Sequence, residues 1–238
     1  MDKLNIDRHI SQQYNAVLDD LKTEFLKMGG LIEQQISDSV QAITKLDTDL
    51  ASKVIRVEAE VDAREKALDD LCIQIIARRQ PTASDLRLVI SISKATRDLE
   101  RMGDEANKIA KMAIEISESG RLPHGYEELR NLGNRVQQGV SNTLTAFARY
   151  DVDIALQVAH EDDNIDREYN TAMREMITYM MEDPRNISRA MNVSWALRAL
   201  ERIGDHAANI AEHIIFMVKG LDVRHKTVNE MKEEVSQN

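Results

Sequence analysis

A chain of 238 residues that is 42% hydrophobic but only 4% aromatic, with three prolines and nine glycines, must fill one large or two small cores with aliphatics and methionine and favours helix over strand. Its formal net charge of −10 presents an acidic surface, which argues against nucleic-acid binding and against broad adhesion to anionic lipid. A single cysteine excludes an internal disulfide, and the N-terminus carries no signal-peptide run and no stretch of about 18 apolar residues follows, so the expectation is a soluble, cytosolic, all-α protein.

In chain order the pattern predicts helices over 7–46, 49–78 and 83–118, then over 125–150, 152–181 and 187–219. Asp47-Thr48-Asp49 opens the second helix and Asp151-Val152-Asp153 the fifth, with short acceptor side chains suited to capping free N–H groups. Cys72, in Leu71-Cys72-Ile73, reads as a small core residue. Pro81 ends the second helix, and Thr82-Ala83-Ser84-Asp85 after it resembles a capping box with Asp in place of Glu. Gly120-Arg121-Leu122-Pro123-His124-Gly125 is the best linker in the chain, and Pro184 divides the fifth helix from the sixth. The implied units are 1–120, 124–220 and a C-terminal tail, 221–238.

These units repeat one another. LERMGDEANKIA at 99–110 and LERIGDHAANIA at 200–211 are identical at eight of twelve positions, an offset of 101. Ser93/Ser194, Ala95/Ala196 and Arg97/Arg198 extend the match, and further back the offset is 104. In the third helix Leu88, Ile92, Ala95, Leu99, Met102, Ala106, Ile109 and Ala113 alternate steps of four and three. Val193, Ala196, Leu200, Ile203, Ala207, Ile210 and Ile214 do so in the sixth. The predicted fold is therefore two tandem, pseudo-symmetric three-helix bundles with left-handed, coiled-coil-like packing.

Acidic residues stand four apart on the second and third helix of each repeat: Glu58 with Asp62, Glu100 with Asp104, Asp162 with Asp166, and Glu201 with Asp205. Residues at i and i+4 share a helix face, so each pair is a two-carboxylate patch. With 41 acidic residues, on the order of seven such pairs arise by chance. What lifts these four is that they recur at equivalent places in both copies. Like charges at this spacing weaken a helix, a cost that a bound cation reverses. Gly103 and Gly204, mid-helix beside Asp104 and Asp205, ask for a close neighbour or a ligand. The heptad register turns the carboxylates outward, so a metal would sit between adjacent helices on an outer face. All-oxygen ligands suit magnesium, manganese or iron. Asn209, a candidate extra ligand, and Glu212 extend the second face, where the first copy has Lys108 and Lys111, so the two sites should differ in charge and occupancy.

No histidine follows a Glu-x-x-His pattern, and no phosphate-binding loop or nucleophile elbow is present, which argues against a ferritin-type di-iron enzyme and against nucleotide or ester chemistry. His206 and His213 have no counterparts in the first copy and read as surface histidines. A carboxylate-cluster metalloenzyme and a metal-free helical scaffold stand as alternatives.

At LERMGD and LERIGD the sequence resembles the PhoU family, and the doubled carboxylate motifs and the Arg79–Arg87 connection carry the resemblance over nearly the whole chain. The resemblance implies a non-enzymatic, cytoplasmic negative regulator of the phosphate-starvation response and a modulator of phosphate uptake. It implies partners in a sensor histidine kinase and the ATPase subunit of a phosphate ABC transporter, which would hold the protein at the inner membrane. It further implies a homodimer and iron, manganese, magnesium or zinc on the eight carboxylates.

Overall fold

The computed structural model describes residues 12–120, 122 and 124–237. Helices α1 (Gln12–Lys45), α2 (Thr48–Arg79) and α3 (Ala83–Ser119) form the first bundle. Helices α4 (Tyr126–Arg149), α5 (Val152–Glu182) and α6 (Ile187–Lys219) form the second. A 3-10 turn at Pro184–Asn186 separates α5 from α6, as Pro81 separates α2 from α3. No strand occurs among the described residues, and no helix there is long and apolar enough to cross a membrane. The predicted start of the first helix at 7–11 and two linker residues, Arg121 and Pro123, lie outside the described residues.

The duplication holds at the level of individual bonds. Leu46 and Tyr150 end α1 and α4 in the left-handed region, at φ 56° and 55°. The next amides, of Asp47 and Asp151, each donate back at 2.9 Å, to the carbonyls of Ala42 and Ala146. The Asp47 carboxylate then caps α2 by accepting from the Leu50 amide at 2.9 Å, and Asp151 caps α5 through Ile154 at 3.0 Å. Both caps match expectation. The capping box at the start of α3 does not form: Thr82 makes no side-chain cap bond. Asp85 is buried and accepts the Tyr14 hydroxyl at 3.3 Å, so its side chain is committed to α1 rather than to its own helix end.

The predicted apolar stripes of α3 and α6 are buried throughout. They belong to one continuous core spanning both repeats, because α3 packs against α6 and α1 against α4. Arg87 of α3 reaches the Met217 carbonyl near the end of α6, while Glu105 meets Arg202, so the two helices run antiparallel. Helices α1 and α4 are antiparallel too: Gly29 faces Leu144 and Gly133 faces Val40, and beyond the first of these contacts the rings of Phe25 and Phe147 meet with centroids 4.3 Å apart. A pseudo-two-fold axis therefore relates the bundles, and each covers a face the other would leave bare.

The segment 221–238, expected as a tail, contains a seventh helix, α7 (Val228–Gln237), packed on α5 with Met231 buried. The Thr227 amide and hydroxyl both donate to Glu230, each at 2.7 Å, a capping box written openly as Thr-x-x-Glu.

Candidate functional site: outward carboxylate clusters of the two repeats

In the second repeat α5 contributes Asp162 and Asp166, and α6 contributes Glu201 and Asp205. Close approach of the helices depends on Gly204, over which Ile165 lies: a Cβ there would stand 2.9 Å from Ile165 Cδ1 and 3.1 Å from its Cγ2. The helix-to-helix approach, one of the two reasons a mid-helix glycine could have, is thus present. It draws the acidic pairs flanking Ile165 and Gly204 together. Asp166, Glu201 and Asp205 each offer an oxygen, and these all lie within 4.8 Å of one another.

The electrostatics of this cluster are unbalanced. Burial pushes the Asp162 carboxyl up to about 7, and Asp205 and Asp166 add to the rise. Burial also raises Glu201 and Asp205, reinforced by Asp205 and Asp166 respectively. Asp162 Oδ1 and Glu201 Oε2 are buried with no hydrogen-bond partner. Two arginines lie near: Arg198 and Arg202 offset part of the rise in Glu201 and Asp205, although Arg202 is paired with Glu105 of α3 at 2.7 Å. None of the four carboxylates is in a salt bridge among the described residues. Orphaned, mutually repelling oxygens on two adjoining helices are a donor set that fits a hard cation.

The first repeat has the same helix plan, but among the described residues Glu58, Asp62, Glu100 and Asp104 are not gathered as Asp166, Glu201 and Asp205 are. Gly103 of α3 lies under Ile32, where a Cβ would stand 2.9 Å from Ile32 Cδ1, and Val61 lies 3.5 Å away where the second repeat has Ile165. Glu58 is not free, because the Asn107 amide donates to it at 2.5 Å. The equivalent of Asn107 in the second repeat is Ala208. Burial raises the Glu100 carboxyl, with Asp104 and Glu65 next in effect. Glu65 is itself raised by burial, Asp69 and Asp62, and Asp69 accepts the Ser93 hydroxyl at 3.0 Å. The expected effect of Lys108 does not arise through the cluster, since Lys108 pairs with Glu105 at 2.9 Å. Two contacts distinguish the first cluster instead: Asn107 on Glu58, and Arg101 3.7 Å from Glu100 where its counterpart Arg202 turns to Glu105.

Three further sequence expectations change. His206 and His213 are not surface histidines: both are largely buried, and their ring nitrogens lie 2.9 and 3.3 Å from the two oxygens of Asp98 on α3. Asn209, a candidate ligand, donates to Asp98 at 3.3 Å, away from the carboxylate cluster. Burial raises the Asp98 carboxyl, but hydrogen bonds from His206 and His213 overcome it and hold the group down at about 2. Sequence reasoning missed Asp98, which has only Ala199 as its counterpart. It also passed over Glu65 and Asp69, although Glu58, Asp62, Glu65 and Asp69 follow the 4-3-4 spacing of a helix face.

Comparison with known proteins bears on what such a molecule is. The PhoU domain model matches residues 25–113 and again 129–214, one match in each bundle. A phosphate-specific transport system accessory protein PhoU homolog of Pseudomonas aeruginosa is 54% identical over 238 residues, 100% of this chain and 98% of that protein. The accessory protein PhoU of Escherichia coli is 45% identical over 225 residues, 94% of this chain and 93% of its own. The crystal structure of PhoU from Pseudomonas aeruginosa superimposes with a TM-score of 0.86, covering 87% of this chain and 100% of that one. The phosphate transport system regulatory protein PhoU from Streptococcus pneumoniae, 29% identical, gives 0.81 over 87% of this chain and 98% of its own. These are accessory and regulatory proteins, and the chain, like them, is not an enzyme. With a domain match in each bundle and relatives aligned from end to end, the chain belongs to the PhoU family.

Proposed function

We propose that the chain restrains phosphate uptake and the phosphate-starvation response as a cytosolic adaptor between a phosphate ABC transporter, at its ATPase subunit, and a sensor histidine kinase. The names of its relatives, accessory proteins of phosphate-specific transport, support the phosphate role. Long helices with broad exposed faces suit a protein that works by contact. In this reading the protein is a homodimer held peripherally at the inner membrane by its partners.

The same proposal assigns metal to the carboxylates, and one observation carries that part: Asp166, Glu201 and Asp205 converge, with a buried, unpartnered oxygen on Glu201 and another on the neighbouring Asp162. These residues would hold a cation such as iron, manganese, magnesium or zinc. When bound, it supplies the positive charge that the cluster lacks. Asp162, whose carboxyl burial raises to about 7, would have to be deprotonated to serve as a ligand. In the first repeat Glu58, Asp62, Glu100 and Asp104 form the weaker counterpart, because Asn107 already occupies Glu58.

Elemental analysis of protein purified without an affinity tag tests the metal assignment. Near-stoichiometric metal in the parent, lost in a folded D62A/D104A/D166A/D205A variant, is the expected result; no metal in either would remove it. A phosphate-responsive reporter tests the regulatory assignment separately. Deletion of the gene should derepress the reporter in abundant phosphate, and unchanged repression would overturn the assignment.

A further inference from the structure

Beyond the carboxylates, the outer face of α5 and α6 has a second property. Ile177 and Met181 of α5 and Ile187, Met191 and Trp195 of α6 are exposed, Met181 at 78% and Trp195 at 55%. On α5 these residues are spaced i, i+4, and on α6 i, i+4, i+8, so each set is a single stripe. The helices are antiparallel, and Ile165 and Asp162 against Gly204 set their register. That register carries Ile177 alongside Met191 and Met181 alongside Ile187. The five side chains therefore form one apolar groove-lining patch, a feature that soluble surfaces seldom leave without a use.

The equivalent face of the first repeat keeps part of this patch: Ile73 and Leu86, at the positions of Ile177 and Ile187, are exposed, and half-buried Ile90 stands for Met191. Ala77 stands there in place of Met181, and nearer the carboxylates Lys94 replaces Trp195 and Asp69 replaces Met173. With Ser93, Arg97 and Glu65 they line a polar groove. The two copies of this surface have thus diverged at the end near the carboxylates, where Trp195 extends the apolar stripe and Lys94 ends it.

On α6 the apolar stripe runs straight into the carboxylate cluster. From Ile187 to Trp195 the rise is about 12 Å, and Glu201 and Asp205 follow about 9 and 15 Å further on, with Arg198 between. We propose that this face docks an amphipathic partner helix, apolar over its first three turns and carrying Lys or Arg some two to three turns beyond. The docked helix would lie in the α5–α6 groove opposite α4 and complete a four-helix bundle. Charge selects this occupant over a second copy of the chain. A second copy would bring the acidic surface of a −10 molecule against carboxylates that, in the metal-free protein, repel one another, whereas a basic segment neutralises them. The inference rests on the adaptor reading, since it names the partner chemistry that an adaptor face would recognise.

The test uses full-length, metal-free protein and a labelled helical peptide of about 24 residues, with leucines spaced four apart at one end and lysines at the other. Trp195 is the sole tryptophan and reports directly. The expected results are a blue shift of its emission and saturable binding by anisotropy. The same peptide with glutamates for lysines should bind at least ~10-fold more weakly, as should the lysine peptide to M191E, provided its circular dichroism and melting are unchanged. Equal binding of the lysine and glutamate peptides, or wild-type binding by M191E, would overturn the proposal. So would a blue shift of Trp195 with protein concentration alone and a dimer mass lost in M191E, which would assign the face to a second copy. The reporter assay described above needs no peptide, so the adaptor reading and the docking face fail separately.

Discussion

Val40 of α1 packs against the bare backbone of Gly133 on α4, where a Cβ would lie 2.7 Å from Val40 Cγ1. The symmetry-related pair, Leu144 over Gly29, makes the same contact in the other direction. Alanine at either glycine gains up to ~1 kcal/mol of helix propensity, so the sign of each substitution depends on whether the neighbour can yield.

Val40 is buried and β-branched, with little freedom at χ1, whereas Leu144 is half-buried and meets Gly29 through its terminal methyls. G133A should therefore lose about 1–3 kcal/mol in urea denaturation, and G29A clearly less. A V40A change made in the G133A background should recover part of the loss by removing the clash.

Gly204 is a sharper case, because its neighbour Ile165 is β-branched and presents two methyls at 2.9 and 3.1 Å. G204A should push α5 away from α6 and spread the oxygens of Asp166, Glu201 and Asp205. Isothermal titration with manganese should then show at least ~10-fold weaker binding in the second repeat, although no ligand has been removed. D166N should do the same directly, and E58Q should change affinity far less, since Glu58 is already tied to Asn107.

The pH dependence of the metal-free protein has two limbs of opposite sign. Asp162 has a folded pKa of about 7 against 3.8 unfolded. The folded state thus binds its proton more tightly, the penalty is fully present above about 7, and stability rises as pH falls from 7 toward 4. After discounting for partial exposure the gain is roughly 1–2 kcal/mol, and D162N should flatten this limb and raise the alkaline-side melting temperature.

Asp98 works the other way. Its folded pKa of about 2 lies below the ordinary 3.8, so its contribution is complete above 3.8 and disappears as pH falls through 2. D98A should remove that limb and strand His206, His213 and Asn209 at the α3–α6 contact, costing about 1–3 kcal/mol in urea melts at neutral pH. Unchanged stability in D98A would show that the histidine contacts contribute nothing.

Helix bounds were legible in the sequence because their causes are local. Asp47, Asp151, Pro81 and Pro184 act within a turn of where they stand. The failed capping box at Thr82 shows the limit of that logic, since Tyr14, 71 residues away, claims the Asp85 side chain. The eight paired carboxylates were marked by recurrence, whereas Glu65 and Asp69 have Tyr169 and Met173 as counterparts and carry no such mark. Asp98, His206 and Glu105 follow no hydrophobic period, because a polar interface between distant helices leaves no spacing along either one. The helix at Thr227 was written in its cap residues but is short, and its burial rests on Met231.

The reciprocal contacts across the α1–α4 seam have the geometry of an isologous homodimer, in which each subunit gives the other what it receives. Covalent fusion of two such halves frees them from identity. Ala199 can stand where Asp98 stands, His206 where Glu105 stands and Ala208 where Asn107 stands, each change made once instead of twice. A symmetric pair of identical chains could hold only two equal cation sites and two equal outer faces; a single chain with both halves in register can assign them different tasks.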